Sequence, residues 1–98
     1  MGTLRVDLRS GFDRDLVEIW IDEERRWRGE AVTTKFTLDL ATSVPFEADD
    51  GPADVRIVLP DRGLEQSIEA FVADDTHVVV RVDADRLLVE QSAGVPHG

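Results

Sequence analysis

Hydrophobic and polar residues alternate with a period of two along most of the chain. Near its start, Leu4, Val6 and Leu8 are separated by charged residues. The same alternation recurs in later segments, at Val17, Ile19 and Ile21, at Thr34, Phe36, Leu38 and Leu40, at Val44 and Phe46, at Val55, Ile57 and Leu59, at Ile68, Ala70 and Val72, at Val78 and Val80, and at Leu87 and Val89. Successive side chains of a strand point to opposite faces of its sheet, so this pattern predicts half-buried β-strands.

Turn-forming residues divide these segments. Asp-Asp-Gly-Pro at residues 49–52 and Pro-Asp-Arg-Gly at residues 60–63 are strong turn signals, and Pro45 indicates an edge strand. The spacing predicts an all-β fold, an antiparallel β-sandwich of about seven or eight short strands of Ig-like or prealbumin-like type. We expect one domain over residues 1–90 and a C-terminal tail over residues 91–98. The expected core includes Leu4, Val6, Val17, Ile19, Phe36, Leu38, Val55, Ile57, Val78 and Val80.

Three segments give the chain a resemblance to a known class of small domains. Residues 17–22 (Val-Glu-Ile-Trp-Ile-Asp) lead through a charged segment to a Gly and two Thr within residues 29–34, and residues 51–57 contain the pattern Gly-x-x-x-Val-x-Ile. In this respect the chain resembles small bacterial transthyretin-like (prealbumin-like) and PEGA-type β-sandwich modules, although the PEGA tetrad itself is absent. The resemblance implies an accessory, adhesive or assembly role and transfers no catalytic residue.

The charge of the chain limits its partners. Its 98 residues include 21 acidic and 11 basic side chains, which gives a formal net charge of −10. Residues 37–98 contain thirteen acidic and four basic side chains, net −9, so we expect repulsion from nucleic acids and from anionic membranes. The chain has no cysteine and no signal-like or membrane-spanning segment, which favours a cytoplasmic location.

The residue types that carry catalysis lie in unfavourable contexts. One histidine, His77, lies in a predicted strand and the other, His97, in the tail, and no serine has the surroundings of an activated nucleophile. No glycine-rich phosphate loop is present, and the acidic clusters coincide with turns, where Asp bonds to the local backbone. We therefore expect no enzymatic activity, no cofactor and no bound metal. Calcium binding at the acidic turns remains an alternative.

Basic and aromatic residues occur together at one place, Arg25, Arg26, Trp27 and Arg28. The acidic neighbours of this segment favour a self-neutralised hairpin tip. The alternative is a secondary recognition loop for an anionic group or a protein partner.

Several apolar residues occupy the strand phase opposite to the expected core. They are Trp20, Val58, Phe71, Val79 and Leu88. If their strands are neighbours, these side chains form an apolar patch outside the core, and such patches usually mark interfaces.

The patch leads to a functional expectation. We expect a non-enzymatic binding or assembly module that contacts a protein partner or a second copy of itself. Two alternatives stay open: a carbohydrate-binding module, in which Trp20 or Trp27 stacks on a sugar ring, and a small acidic inhibitor or immunity-type protein that blocks a basic active site.

Overall fold

The computed structural model describes residues 2–35, 37 and 40–92, and this part of the chain is all-β. The strands are β1 (Gly2–Leu8), β2 (Asp15–Ile21), β3 (Glu24–Val32), β4 (Thr42–Ala48), β5 (Gly51–Leu59), β6 (Leu64–Val72), β7 (Asp75–Asp83) and β8 (Arg86–Gln91). A single 3₁₀ turn, Pro60–Arg62, connects β5 to β6. Among the described residues, no helix has the length and apolar character needed to cross a bilayer.

The strands form two four-stranded sheets. Sheet A has the order β4-β1-β7-β8 and sheet B the order β3-β2-β5-β6. All neighbouring strands are antiparallel except β1 and β7, which are parallel. The expectation of antiparallel pairing therefore fails at this one place. A parallel pair requires a long connection between its strands, which the chain between β1 and β7 provides.

The core lies between the two sheets, and alternation along each strand builds it. The described residues of the expected core are completely buried, at Leu4, Val6, Val17, Ile19, Val55, Ile57, Val78 and Val80. Phe36 and Leu38, the two other expected core residues, lie outside the described residues. The strand β8 ends at Gln91, the domain boundary at residue 90 stays a prediction, and residues 93–98 of the predicted tail lie outside the described part.

Within the predicted strand over residues 34–40, the described residues 34, 35, 37 and 40 do not belong to a strand. An isolated bridge joins Lys35 to Leu40. Thr34 is buried, and its hydroxyl group is satisfied there: it accepts a hydrogen bond from the Phe12 N–H at 3.1 Å and donates one to the Arg9 carbonyl oxygen. The buried, polar Thr34 anchors the segment after β3 to the β1–β2 connection.

An ion pair fixes the same connection to the turn after β5. The guanidinium of Arg62 donates to the carboxylate of Asp15, with Nε 2.8 Å from Oδ1 and Nη2 2.9 Å from Oδ2. Arg62 Nη2 also donates to the Gly11 carbonyl oxygen at 3.2 Å. Because only 7% of the Asp15 side chain is exposed, this pair lies largely out of solvent.

Candidate functional site

The outer face of sheet B has Trp20 at its centre. The register places Trp20 between Arg25 on β3 and Arg56 on β5. The Arg56 guanidinium lies over the indole, 4.8 Å from the ring centroid, and its Nη1 atom is 3.4 Å from Glu65 Oε2. The Trp20 Nε1–H donates to Glu18 Oε1 at 3.0 Å. One face of this indole is therefore covered by Arg56, and its polar edge already has a partner.

Phe71 lies at one corner of this outer face, away from Trp20. Val58 is the register neighbour of Glu18 and lies diagonally next to Trp20, whereas Phe71 is opposite Pro52 at the end of β6. Between them runs a row with Asp54 directly opposite Glu69. Two like charges separate Phe71 from the Trp20 region.

Val79 and Leu88 lie on the other side of the molecule, on the outer face of sheet A. There Val79 is opposite Glu90, and Leu88 is opposite Arg81. The five residues predicted to form one patch thus belong to two opposite faces, and the single continuous patch is a wrong interpretation. The alternation places each side chain outside the core, but it contains no information on which sheet each strand joins.

Phe71 and Leu88 nevertheless lie on β6 and β8, two edge strands that meet at the same lateral edge of the sandwich, and Val79 is next to Leu88 on the outer face of sheet A. We call the edge formed by these two strands, with Phe71, Val79, Leu88 and Gln91, the β6–β8 side. Phe71 and Leu88 are the exposed large hydrophobic residues of the described part, with 59% and 41% of their surfaces accessible. The Gln91 side-chain amide joins the two edges by accepting from the Phe71 N–H at 3.0 Å and donating to the Phe71 carbonyl oxygen at 3.1 Å.

The basic–aromatic segment is part of a strand, which corrects the prediction of a hairpin tip. The β2–β3 turn consists of Asp22 and Glu23, and β3 begins at Glu24. Within β3 the segment does not act as one unit. Trp27 packs against the core and Arg26 lies over the Phe46 ring, 5.7 Å from its centroid.

The two other arginines of the segment belong to the outer face of sheet B. Arg25 Nη1 is 3.6 Å from Glu18 Oε2, and Arg28 Nη1 is 3.5 Å from Glu30 Oε2. Each basic group therefore has a local acidic or aromatic partner, and the segment offers no free cluster of positive charge.

Sheet A contains a buried polar network that no sequence pattern predicts. The Asp7 side chain is 9% exposed, accepts a hydrogen bond from Ser43 Oγ at 2.6 Å, and lies 3.0 Å from His77 Nδ1. His77 Nε2 is 3.6 Å from Asp75 Oδ1. Ser43 and His77 are 36 and 70 residues away from Asp7, so no local spacing could indicate the network.

The order of groups in this network determines its chemistry. A nucleophilic serine needs the imidazole as its immediate proton acceptor. Here the Ser43 hydroxyl donates to Asp7, and Asp7 stands between the serine and the imidazole. The arrangement satisfies a buried carboxylate and does not activate the hydroxyl group.

An acidic cleft of about 480 Å³ lies near the β2–β3 and β4–β5 turns. Its lining includes Asp22, Glu47, Asp49 and Arg26. No group of three or more His, Cys, Asp or Glu side chains in the described part of the chain is arranged to hold a metal ion.

Comparisons with other proteins bear on the fold. The chain matches no protein-family model and no curated protein. It is similar to a solved structure from Eubacterium rectale, described as an NMR structure of a protein, with a TM-score of 0.56 and 16% sequence identity over 99% of this chain and 89% of that one. A likeness at this identity supports the two-sheet all-β architecture and nothing about function.

Proposed function

We propose that this protein is a non-enzymatic binding or assembly module that acts through protein–protein contacts on its β6–β8 side. The observation that carries the proposal is Phe71, which exposes 59% of its surface on an edge strand. Burying an aromatic side chain of this size on association is strongly favourable, and aromatic residues often dominate interface energetics. Leu88 and the half-buried Val79 add apolar surface on the same side.

The carbohydrate-binding alternative has less support. A sugar ring would need a free indole face for stacking. Arg56 covers Trp20, and Trp27 packs against the core and over the backbone of Gly29. The inhibitor alternative is a special case of protein binding in which the partner is basic, and its affinity would fall as salt screens the net charge of −10.

The fold type is also a proposal. In constant-type immunoglobulin domains the first strand shares a sheet with the second strand. Here β1 lies in sheet A and β2 in sheet B, which favours the prealbumin-like type of β-sandwich over the Ig-like type. We also propose that the module works in the cytoplasm, as the lack of cysteine suggests.

The test places a photo-crosslinking amino acid at position 71, 88 or 58 of the full chain in its native cells. We expect defined adducts from positions 71 and 88 and none from position 58, because Val58 lies in the Trp20 region. Any partner found in this way is purified and titrated, and Phe71→Ala should weaken its binding about tenfold or more. Adducts from position 58 alone, or an affinity that does not change with Phe71→Ala, would overturn the proposal.

A further inference from the structure

The open edge of β6 is regular enough to accept another strand. β6 pairs with β5 over all nine of its residues without a register shift, and it is the last strand of sheet B. The opposite edge of the same sheet, β3, contains register shifts that disturb its hydrogen-bonding row. Irregularity of this kind protects an edge from other strands, and β6 lacks it.

The hydrogen bonds of Gln91 show which backbone groups of β6 point outwards. The Phe71 N–H donates to the Gln91 side chain, and the Gln91 amide donates to the Phe71 carbonyl oxygen, so neither group of Phe71 is directed at β5. In an antiparallel pair, the backbone groups of alternate residues point to the same side of a strand. The N–H and carbonyl groups of Glu65, Ser67 and Glu69 therefore also point away from β5.

At Phe71 the Gln91 amide takes the place of a neighbouring strand. It accepts one hydrogen bond and donates one, which is the same pair of bonds that a residue opposite Phe71 on an antiparallel strand would make. No residue of the described part bonds in this way to residues 65, 67 and 69. The edge of β6 thus has three consecutive positions at which a short strand could pair.

The side chains at these positions select a basic partner. Glu65 and Glu69 are exposed, and they lie on the outer face of sheet B, four residues apart. On β5, Arg56 is near Glu65, with Nη1 3.4 Å from Oε2, whereas Glu69 has Asp54 opposite it. Opposite charges directly across two strands stabilise a sheet, so a strand with basic residues four positions apart would be complementary to β6.

The same charges disfavour a second copy of this chain on β6. In an antiparallel pair of two β6 strands centred on Ser67, each Glu65 would lie opposite the other chain's Glu69. Like charges in that position repel, and two chains of net charge −10 also repel at longer range.

We propose that β6 accepts an extended basic segment of a partner protein as a fifth strand of sheet B, antiparallel to β6, with a Lys or Arg opposite Glu65 and another opposite Glu69. Gln91 ends the pairing before Phe71, and the exposed ring of Phe71 is left for an apolar side chain of the same segment. In such strand addition the main chain supplies affinity and the alternate side chains supply specificity. The inference rests on the proposed function, since it names the class of partner that the β6–β8 side binds.

Two synthetic peptides of equal composition test the spacing of the charges. In Leu-Val-Lys-Val-Thr-Val-Lys the lysines are four positions apart, on one face of a strand. In Leu-Val-Lys-Val-Thr-Lys-Val they are three apart, on opposite faces, so only one lysine can meet a glutamate. Titrated into the full chain at about 0.15 M NaCl, the first peptide should bind at least about tenfold more tightly than the second.

Methylation of the peptide backbone tests the hydrogen bonds. An N-methyl group on the threonine of the first peptide removes the N–H that faces Ser67 and should weaken binding about tenfold. The matched control carries the N-methyl group on the valine before the threonine, whose N–H points away from β6, and should bind as the parent peptide does. In the complex, the amides of Ser67 and Glu69 should exchange more slowly, whereas those of Ile68 and Ala70, which point to β5, should not change.

A charge reversal on β6 tests the register. Glu69→Lys should weaken binding of the first peptide about tenfold. Glu47→Lys on β4 changes the net charge equally and should have less than about a twofold effect, because salt screens distant charges. A peptide with Glu in place of its first Lys should bind Glu69→Lys as tightly as the parent peptide binds the wild-type chain, which also shows that the variant is folded.

Three results would overturn the inference. One is no binding of the first peptide at about 1 mM, where even weak complexes form. Another is equal affinity for the two lysine peptides, which would mean attraction without strand pairing. The third is a Ser67 amide that exchanges more slowly as protein concentration rises without peptide, which would mean that a second copy occupies the edge. Adducts from position 71 with another protein would leave the proposed function standing in each case.

Discussion

Two neighbouring residues of β5 lie in opposite environments. Ile57 is completely buried between the sheets, whereas Val58 is half-buried on the outer face of sheet B. We expect Ile57→Ala to lower the free energy of unfolding by about 2–5 kcal/mol, since it removes packed volume from the core. Val58→Ala is the matched control and should cost less than about 1 kcal/mol, because Val58 is only half-buried and its truncation opens no cavity between the sheets. Urea unfolding measures both, and equal losses would contradict the assigned strand phase.

The Arg62–Asp15 pair should contribute more to stability than the exposed pairs. Arg62→Ala leaves the buried Asp15 carboxylate with the Asp13 N–H, 2.9 Å away, as its remaining partner. We expect a loss of roughly 1–3 kcal/mol, the usual cost of an incompletely satisfied buried group. Arg28→Ala breaks the exposed pair with Glu30 and should cost less than about 1 kcal/mol. Thermal unfolding of the two variants under one set of conditions distinguishes them, and similar losses would mean that Asp15 is well solvated.

At the scale of elements, the two-residue β2–β3 turn contains strain that glycine can relieve. Asp22 and Glu23 have φ values of 51° and 69°, which lie in the left-handed region. Residues other than glycine adopt this region at an energetic cost. Glu23→Gly gives the Asp-Gly sequence that such hairpin turns prefer. We expect it to raise the free energy of unfolding by about 0.5–1 kcal/mol, after the entropic cost of glycine is subtracted.

The control for this turn is Glu23→Ala, which removes the charge and keeps the Cβ atom. It should not stabilise the protein. If both variants raise the midpoint of urea unfolding equally, then charge and not backbone conformation is the source of the gain.

Strand positions could be predicted from the sequence because alternation is a local property. The segments around Val17, Val55 and Val78 each contain it, and each is a strand. The boundaries of β3 could not be predicted in the same way. Its turn has no glycine or proline, and its register shifts break the period of two, so the charged residues after Glu24 resembled a loop.

The candidate site depends on contacts between distant segments. Which strands become neighbours determines that Trp20 meets Arg56 and that Asp7 meets both Ser43 and His77. A sequence of alternating residues fixes none of these pairings. The outward phase of Phe71 and Leu88 was correctly predicted, but their place on the β6–β8 side follows only from the strand order of both sheets.

At the scale of the whole molecule, the net charge of −10 opposes the compact state through self-repulsion. Added salt screens such repulsion beyond a Debye length of about 8 Å at 0.15 M. We therefore expect NaCl to raise the melting temperature, with the largest change at low ionic strength. A melting temperature that falls with salt would show that attractive ion pairs outweigh the net repulsion.

Divalent cations separate this general screening from a specific site. The acidic residues that begin and end β7, Asp75 and Asp83, are eight residues apart, about 26 Å along an extended strand, so they cannot bind one ion. Millimolar CaCl₂ and MgCl₂ at matched ionic strength should raise the melting temperature equally, because both ions act through screening. At a free calcium concentration of a hundred times the Kd, a specific calcium site would add about 2.7 kcal/mol to the free energy of unfolding. Magnesium would not reproduce this gain. A large shift with calcium alone in thermal unfolding would therefore overturn the structural interpretation of the acidic turns.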